Sequence, residues 1–100
     1  MKRARPTLEE LRQKRRRILE ISARHGATNV RVFGSVARGK TRAKSDIDLL
    51  IDLPPEKSYF DLACLSVDLQ DFLRRPVDVV TADELHWYIR DRILEEAVPL

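Results

Sequence analysis

The stretch VFGSVARGKTRAKSDIDLLIDL, residues 32–53, holds two glycines, two serines, four basic residues and three aspartates. Its closing DIDLLIDL is rich in branched apolar residues and is stopped by Pro54 and Pro55, so it reads as a strand over residues 46–53. Side chains two apart on a strand share a face. Asp46 and Asp48 therefore rise together, with Cα atoms roughly 6.6 Å apart, while Ile47, Leu49 and Ile51 take the opposite face as core. Two carboxylates opening a half-buried strand repel each other unless a cation lies between them. A few carboxylate oxygens, completed by substrate phosphate and water, suit magnesium or manganese.

Immediately upstream, residues 29–33 (NVRVF) alternate and read as a strand, which Gly34-Ser35 breaks. A glycine at a strand end lets the backbone approach a ligand closely. If residues 36–38 open a helical turn, the free N–H groups there and at Ser35 point outward together and attract phosphate. The Ser35 hydroxyl adds a donor, and Arg38, Lys40, Arg42 and Lys44 surround the point with positive charge. Phosphoryl chemistry on two metal ions usually calls for a third carboxylate. Asp78, inside the later strand at residues 76–80 (PVDVV), is the best candidate, because a lone aspartate there is costly without a purpose. Asp52, at the far end of its strand, and Asp83, suited to a first helical turn, are weaker ones. Taken singly, a Gly-Ser pair marks a turn and a DxD marks a strand start. Their joint order, followed by an aspartate in a later strand, indicates a metal–nucleotide site.

Around this core the pattern is helical. Thr7 and Glu10 have capping-box spacing, Leu8, Leu11, Ile18 and Ile21 recur at helical spacing, and Gly26 suits a C-terminal cap, which predicts a helix over residues 7–25. A second helix is expected over residues 58–74, with Leu62, Leu65, Leu69, Phe72 and Leu73 on one face, and Cys64 buried and inert. Thr81 and Glu84 form another capping box, from which Leu85, Ile89, Ile93 and Ala97 carry a last helix over residues 82–98. The order predicts an α+β (α/β-like) domain: a short mixed sheet flanked by helices.

With 100 residues the chain is expected to form a single domain, residues 1–100, with a catalytic core at about residues 29–81. No apolar run approaches the roughly 20 residues of a membrane span, and no apolar signal-peptide core follows the basic start. One cysteine allows neither an intrachain disulfide nor a cysteine-rich zinc site. Together these favour the cytoplasm. Net charge is +3, with basic residues crowded into residues 1–17; that cluster is either a solvated helix face or a surface for nucleic acid or an acidic partner. The same two-way choice holds near the chain end, where His86 reads as solvated, and Trp87 and Tyr88 read as packing or as part of a contact surface. Tyr59 reads as packing, or as a platform for a base.

The residues Gly34, Ser35, Ala37, Arg38, Gly39, Ser45, Asp46, Asp48 and Leu49 resemble the GS-x-AR-G-x5-SD-x-DL signature of minimal nucleotidyltransferases (MNT), within the DNA polymerase β-like superfamily. PVDVVT resembles the third-carboxylate strand of that family, and ILEEAVPL its usual end. The likeness runs from about residue 29 to residue 81. It implies that Asp46, Asp48 and Asp78 bind two magnesium ions, with Asp78 also helping to activate the acceptor hydroxyl. It implies that Gly34 and Ser35 hold the terminal phosphates of ATP, with Arg38 as a further contact or a brace. Lys44 and Ser45 join the phosphate-binding set, and Arg42 is a further candidate, Lys44 and Arg42 matching by charge alone. Many such proteins are antitoxins of the MntA-like kind, thought to transfer AMP from ATP to a tyrosine of a HEPN-domain RNase toxin. The resemblance leaves two alternatives: a non-catalytic antitoxin acting by occlusion, and nucleotidyl transfer to RNA.

Overall fold

A computed structural model describes residues 4–100 of the chain. Lys2 and Arg3 of the basic cluster lie outside the described residues. The elements follow as α1 (Leu8–Gln13), α2 (Arg15–Arg24), β1 (Thr28–Phe33), α3 (Gly34–Arg38), β2 (Ile47–Asp52), α4 (Tyr59–Leu73), β3 (Val77–Thr81), a 3-10 turn (Ala82–Glu84), α5 (Trp87–Glu96) and β4 (Val98–Pro99). The strands form a mixed sheet in the order β3-β2-β1-β4. β1 runs antiparallel to β2 and β4, whereas β2 and β3 are parallel. The parallel pair is bridged by α4, as a parallel crossover requires.

The expected core forms. Ile47, Leu49 and Ile51 are buried, together with Leu11, Ile18 and Ile21 of the first helices, Leu62, Leu65 and Leu69 of α4, and Val77 and Val79 of β3. Alternation along β2 and β3 thus commits one face to packing and leaves Asp48 and Asp78 on the other. Local signals close the elements. The Thr7 side chain accepts from the Glu10 N–H, and Gly26, with φ +80°, turns the chain after α2. Ser58 and Asp61 form a reciprocal capping box on α4, which accounts for one of the aspartates that interrupt its apolar pattern. Asp68 accounts for another, at 2.6 Å from His25 Nε2.

Several expectations are corrected. The helix over residues 7–25 is two segments, with a break at Lys14, whose N–H is shared between the Glu10 and Leu11 carbonyls. The break falls at the start of four consecutive cations, whose repulsion disfavours a continuous turn. The predicted last helix also divides. Its Thr81–Glu84 box forms but closes only a 3-10 turn, Leu85 is extended, and α5 begins at Trp87. That helix stops at Glu96, and Val98–Pro99 pairs with β1 instead of prolonging it. The free edge of β1 offers hydrogen bonds there, and Pro99 fits an edge strand. Tyr59, Trp87 and Tyr88 are not packed inside: they are 73%, 82% and 65% exposed, since α4 buries Leu62, Leu65, Leu69 and Leu73 instead and α5 buries none of its residues. Cys64 is only partly buried, whereas His86 is exposed, as expected.

Among the described residues no helix is long and apolar enough to cross a membrane. The basic first helices are partly committed: Lys14 pairs with Glu10, Arg17 with Glu20, and Arg15 Nε donates to the Leu100 carbonyl at 2.6 Å.

Candidate active site

The decisive juxtaposition is made by β2 and β3. Their parallel register sets Asp48 opposite Asp78, while the antiparallel register of β1 sets Phe33 opposite Asp48. Neighbouring strands lie about 4.8 Å apart, and registered residues share a face, so the two aspartates rise side by side. Thirty residues of sequence separate them, and only the α4 crossover brings them together. Asp46 is exposed and lies one residue before β2 rather than inside it, so the expected strand over residues 46–53 starts at Ile47. It still stands close enough to act on Asp48 electrostatically.

Asp48 is the stressed member. Burial pushes its carboxyl up to about 6, and the negative charges of Asp78, Asp46 and Glu96 push the same way against the pull of Arg38. Among the described residues its carboxylate accepts no hydrogen bond and forms no ion pair. Beside it, Gly34 ends β1 with φ +72°, and a Cβ added there would stand 2.3 Å from Asp48 Oδ2. Two constraints thus demand glycine at this position, the left-handed backbone and the contact with the carboxylate.

Past Gly34 the chain enters α3, which buries Val36 and ends at Gly39, φ +70°. Ser35 is partly exposed, and its hydroxyl makes no hydrogen bond among the described residues. Gly34 N–H donates to Glu96 Oε1 at 2.8 Å, and Arg38 Nη1 donates to both Glu96 oxygens at 3.1 and 3.2 Å. The loop before β2 is held from outside the site. Arg75, buried, donates to the carbonyls of Ala43 and Ala4, and the Thr41 hydroxyl donates to the Pro6 carbonyl. Ser45 Oγ accepts from the Arg42 N–H at 2.7 Å and staples this loop. Lys44 is exposed on the loop.

The weaker carboxylates fall away from the cluster. Asp52 accepts from Arg31 and Asn29 at the other end of β2, and Asp83 is in the 3-10 turn. A cleft of about 480 Å³, lined in part by Asp52, Lys57, Tyr59 and Glu84, lies at that far end rather than by Asp48. A second, of about 530 Å³, is walled by Phe33, Gly34, Arg38, Ile89, Arg92 and Glu96, next to the aspartates. Glu96 is the residue the sequence reading passed over. A signal was present: α5 carries Glu95 and Glu96 in its last turn and no basic residue there, which opposes the helix dipole unless a cation or N–H donor compensates.

Among the described residues no group of three or more His, Cys, Asp or Glu is disposed to hold a metal ion by itself. The donor set nonetheless fits magnesium, which keeps several waters and relies on one or two carboxylates plus substrate phosphates rather than a closed protein cage. Asp48, with no protein partner, and Asp78 beside it supply such an open set.

Residues 8–100 match the family model described as nucleotidyltransferase domain. A Methanocaldococcus jannaschii protein assigned as a protein adenylyltransferase is 40% identical over 84 residues, covering 84% of this chain and 90% of its own. The protein adenylyltransferase MntA of Thermococcus cleftensis is 33% identical over 79 residues, covering 79% and 80%. A solved structure assigned as a minimal nucleotidyltransferase superposes with a TM-score of 0.83 at 44% identity, over 95% of this chain and 97% of that one. A toxin-antitoxin crystal structure with AMP-PNP shares the fold, with a TM-score of 0.73 at 17% identity over 84% of this chain and 69% of that one.

Proposed function

The chain belongs to the nucleotidyltransferase domain family and is an enzyme of that class; we propose that it moves AMP from ATP to a hydroxyl of a partner protein. The observation that carries the reading is the pairing of Asp48 with Asp78 across parallel strands, against the glycine turn at Gly34. Asp46, Asp48 and Asp78 would hold magnesium, which supplies Lewis-acid stabilisation of the phosphate oxygens when bound. Gly34, Ser35 and Arg38 orient the polyphosphate, with Lys44 adding long-range attraction. The acceptor oxygen bonds to the α-phosphorus, the bond from that phosphorus to the α–β bridging oxygen breaks, and diphosphate leaves. Asp78, on the edge strand β3, would take the acceptor proton.

The names of the relatives support a protein acceptor, and the toxin-antitoxin setting of the structural neighbour supports a toxin as that partner. The finer reading is a tyrosine of a HEPN-domain toxin. The exposed aromatic residues at the start of α5 suit contact with such a partner, since aromatic side chains are enriched at interfaces.

The test incubates the protein and a HEPN-domain protein from the same genome with magnesium and ATP labelled at the α- or the γ-phosphate. Expected is α-label alone on the partner's tyrosine, lost in Asp48→Asn. Neutralised partner without label would replace this reading with occlusion. Label on RNA would replace it with RNA as acceptor.

A further inference from the structure

Two of the donors assigned to the polyphosphate are already engaged by a carboxylate of the chain itself. Glu96 takes the Gly34 N–H at 2.8 Å and bridges to Arg38 Nη1 through both oxygens. Its position is enforced from the C-terminal side. Directly after Glu96 the chain pairs with β1 through Val98 and Pro99, the Leu100 N–H donates to the Val30 carbonyl, and Arg15 holds the Leu100 carbonyl. The helix end that carries Glu96 is thereby fixed against the strand that ends in Gly34.

This is an uncomfortable place for a carboxylate. It ends a helix whose dipole is negative there, and it lies close enough to Asp48 for the two negative charges to repel. What holds it is one backbone donor and one guanidinium that is 51% exposed, and half-exposed pairs are weak and screened by solvent. Arg92 lines the same cleft and is exposed. A phosphate group offers the same donors more negative charge and more acceptor oxygens than a carboxylate does.

We propose that Glu96 is an internal stand-in for substrate phosphate: it keeps the Gly34 and Arg38 donors oriented in the free protein and is displaced by the polyphosphate. The proposal rests on the nucleotide reading above. It makes Glu96 a specificity-determining residue, because only a ligand with enough negative charge at this point outcompetes it. A brace that stays in place during binding would behave in the opposite way.

Calorimetric titration with AMP, ADP and AMP-PNP in magnesium separates the two. Glu96→Ala is expected to tighten AMP-PNP binding by about 5- to 10-fold, ADP less and AMP least, as removal of a competing anion requires. Glu96→Gln keeps an acceptor but loses the charge, and a smaller gain of about 2- to 3-fold follows. The glutamine variant also serves if the alanine variant does not fold. The Gly34 amide, one of three glycine signals in a proton–nitrogen correlation spectrum, should move on AMP-PNP binding in the wild type. Equal or weaker AMP-PNP binding by both variants, with the wild type binding normally, would overturn the displacement and leave the nucleotide reading intact. Gains uniform across AMP, ADP and AMP-PNP would overturn it too. No AMP-PNP binding by wild type or variants would overturn the nucleotide reading and this inference with it.

Discussion

Asp48 and Asp52 are the same residue on the same strand with the same parity, yet the two ends of β2 treat them in opposite ways. Asp52 is exposed and satisfied: Arg31 Nη2 donates to it at 2.8 Å and Asn29 Nδ2 at 3.1 Å. Asp48 is partly buried, its carboxylate accepts no hydrogen bond among the described residues, and the charges of Asp78, Asp46 and Glu96 act on it. At one end the neighbours complete the carboxylate, and at the other they leave it incomplete. Placing uncompensated charge costs stability, so the unsatisfied end is the one that marks function.

The largest expected effect breaks the comparison outright. Asp48→Asn should lower α-label transfer by at least about 10³-fold, whereas Asp52→Asn should change it by less than about 3-fold. Equal losses in the two variants would remove the distinction between the ends. The same Asp48→Asn change should raise the melting temperature at pH 7.5 without magnesium by about 4 °C, since it removes a carboxylate that burial and like charge disfavour.

Gly34→Ala comes next. Its methyl would meet Asp48 Oδ2 at 2.3 Å on a backbone held at φ +72°. A loss of about 2 kcal/mol in urea unfolding is expected, along with loss of nucleotide binding. Gly39→Ala has the same backbone constraint, φ +70°, but no atom within 4 Å. A smaller loss of about 1 kcal/mol should follow there, and the difference between the two measures the contact with Asp48.

A smaller effect is in pH. The Asp48 carboxyl is raised from 3.8 to about 6 in the folded protein, so between those values the folded chain binds the proton and the unfolded chain does not. Stability without magnesium should therefore fall as pH rises from about 4 to about 6, by on the order of 1 kcal/mol after solvent screening. Chemical denaturation across that window measures it, and Asp48→Asn should flatten its share of the slope. The smallest effect is at the satisfied end: Arg31→Ala should cost no more than about 1 kcal/mol, as partly exposed ion pairs do, and leave transfer unchanged.

Much of the molecule was legible in residue order. The burial of Ile47, Leu49 and Ile51, the α+β class, the cap at Thr7 and the turn at Gly34 all follow from local periodicity and backbone chemistry. The chain end was not legible. A capping box and helical spacing are both present over residues 81–97, and the box forms, yet the helix it would start is broken and β4 replaces its end. Local propensity lost there to the open edge of β1, a partner some seventy residues away in sequence. Ser45 shows a second feature that residue order did not reveal, since its Oγ accepts from the Arg42 N–H and ties its own loop.

The sequence by itself determined the parts: a strand with apolar and acidic faces, a glycine turn that only glycine satisfies, and a third aspartate on the polar face of a later strand. Those are properties of one or a few neighbouring residues, fixed by sterics and by the period of the strand. The tertiary structure decided the relations. It set Asp78 in register with Asp48, gave Asp52 its partners, and laid Glu96 across the Gly34 and Arg38 donors. The reason is range: carboxylates interact over a few ångströms, and which of them come that close depends on strand register and helix packing that no local pattern encodes.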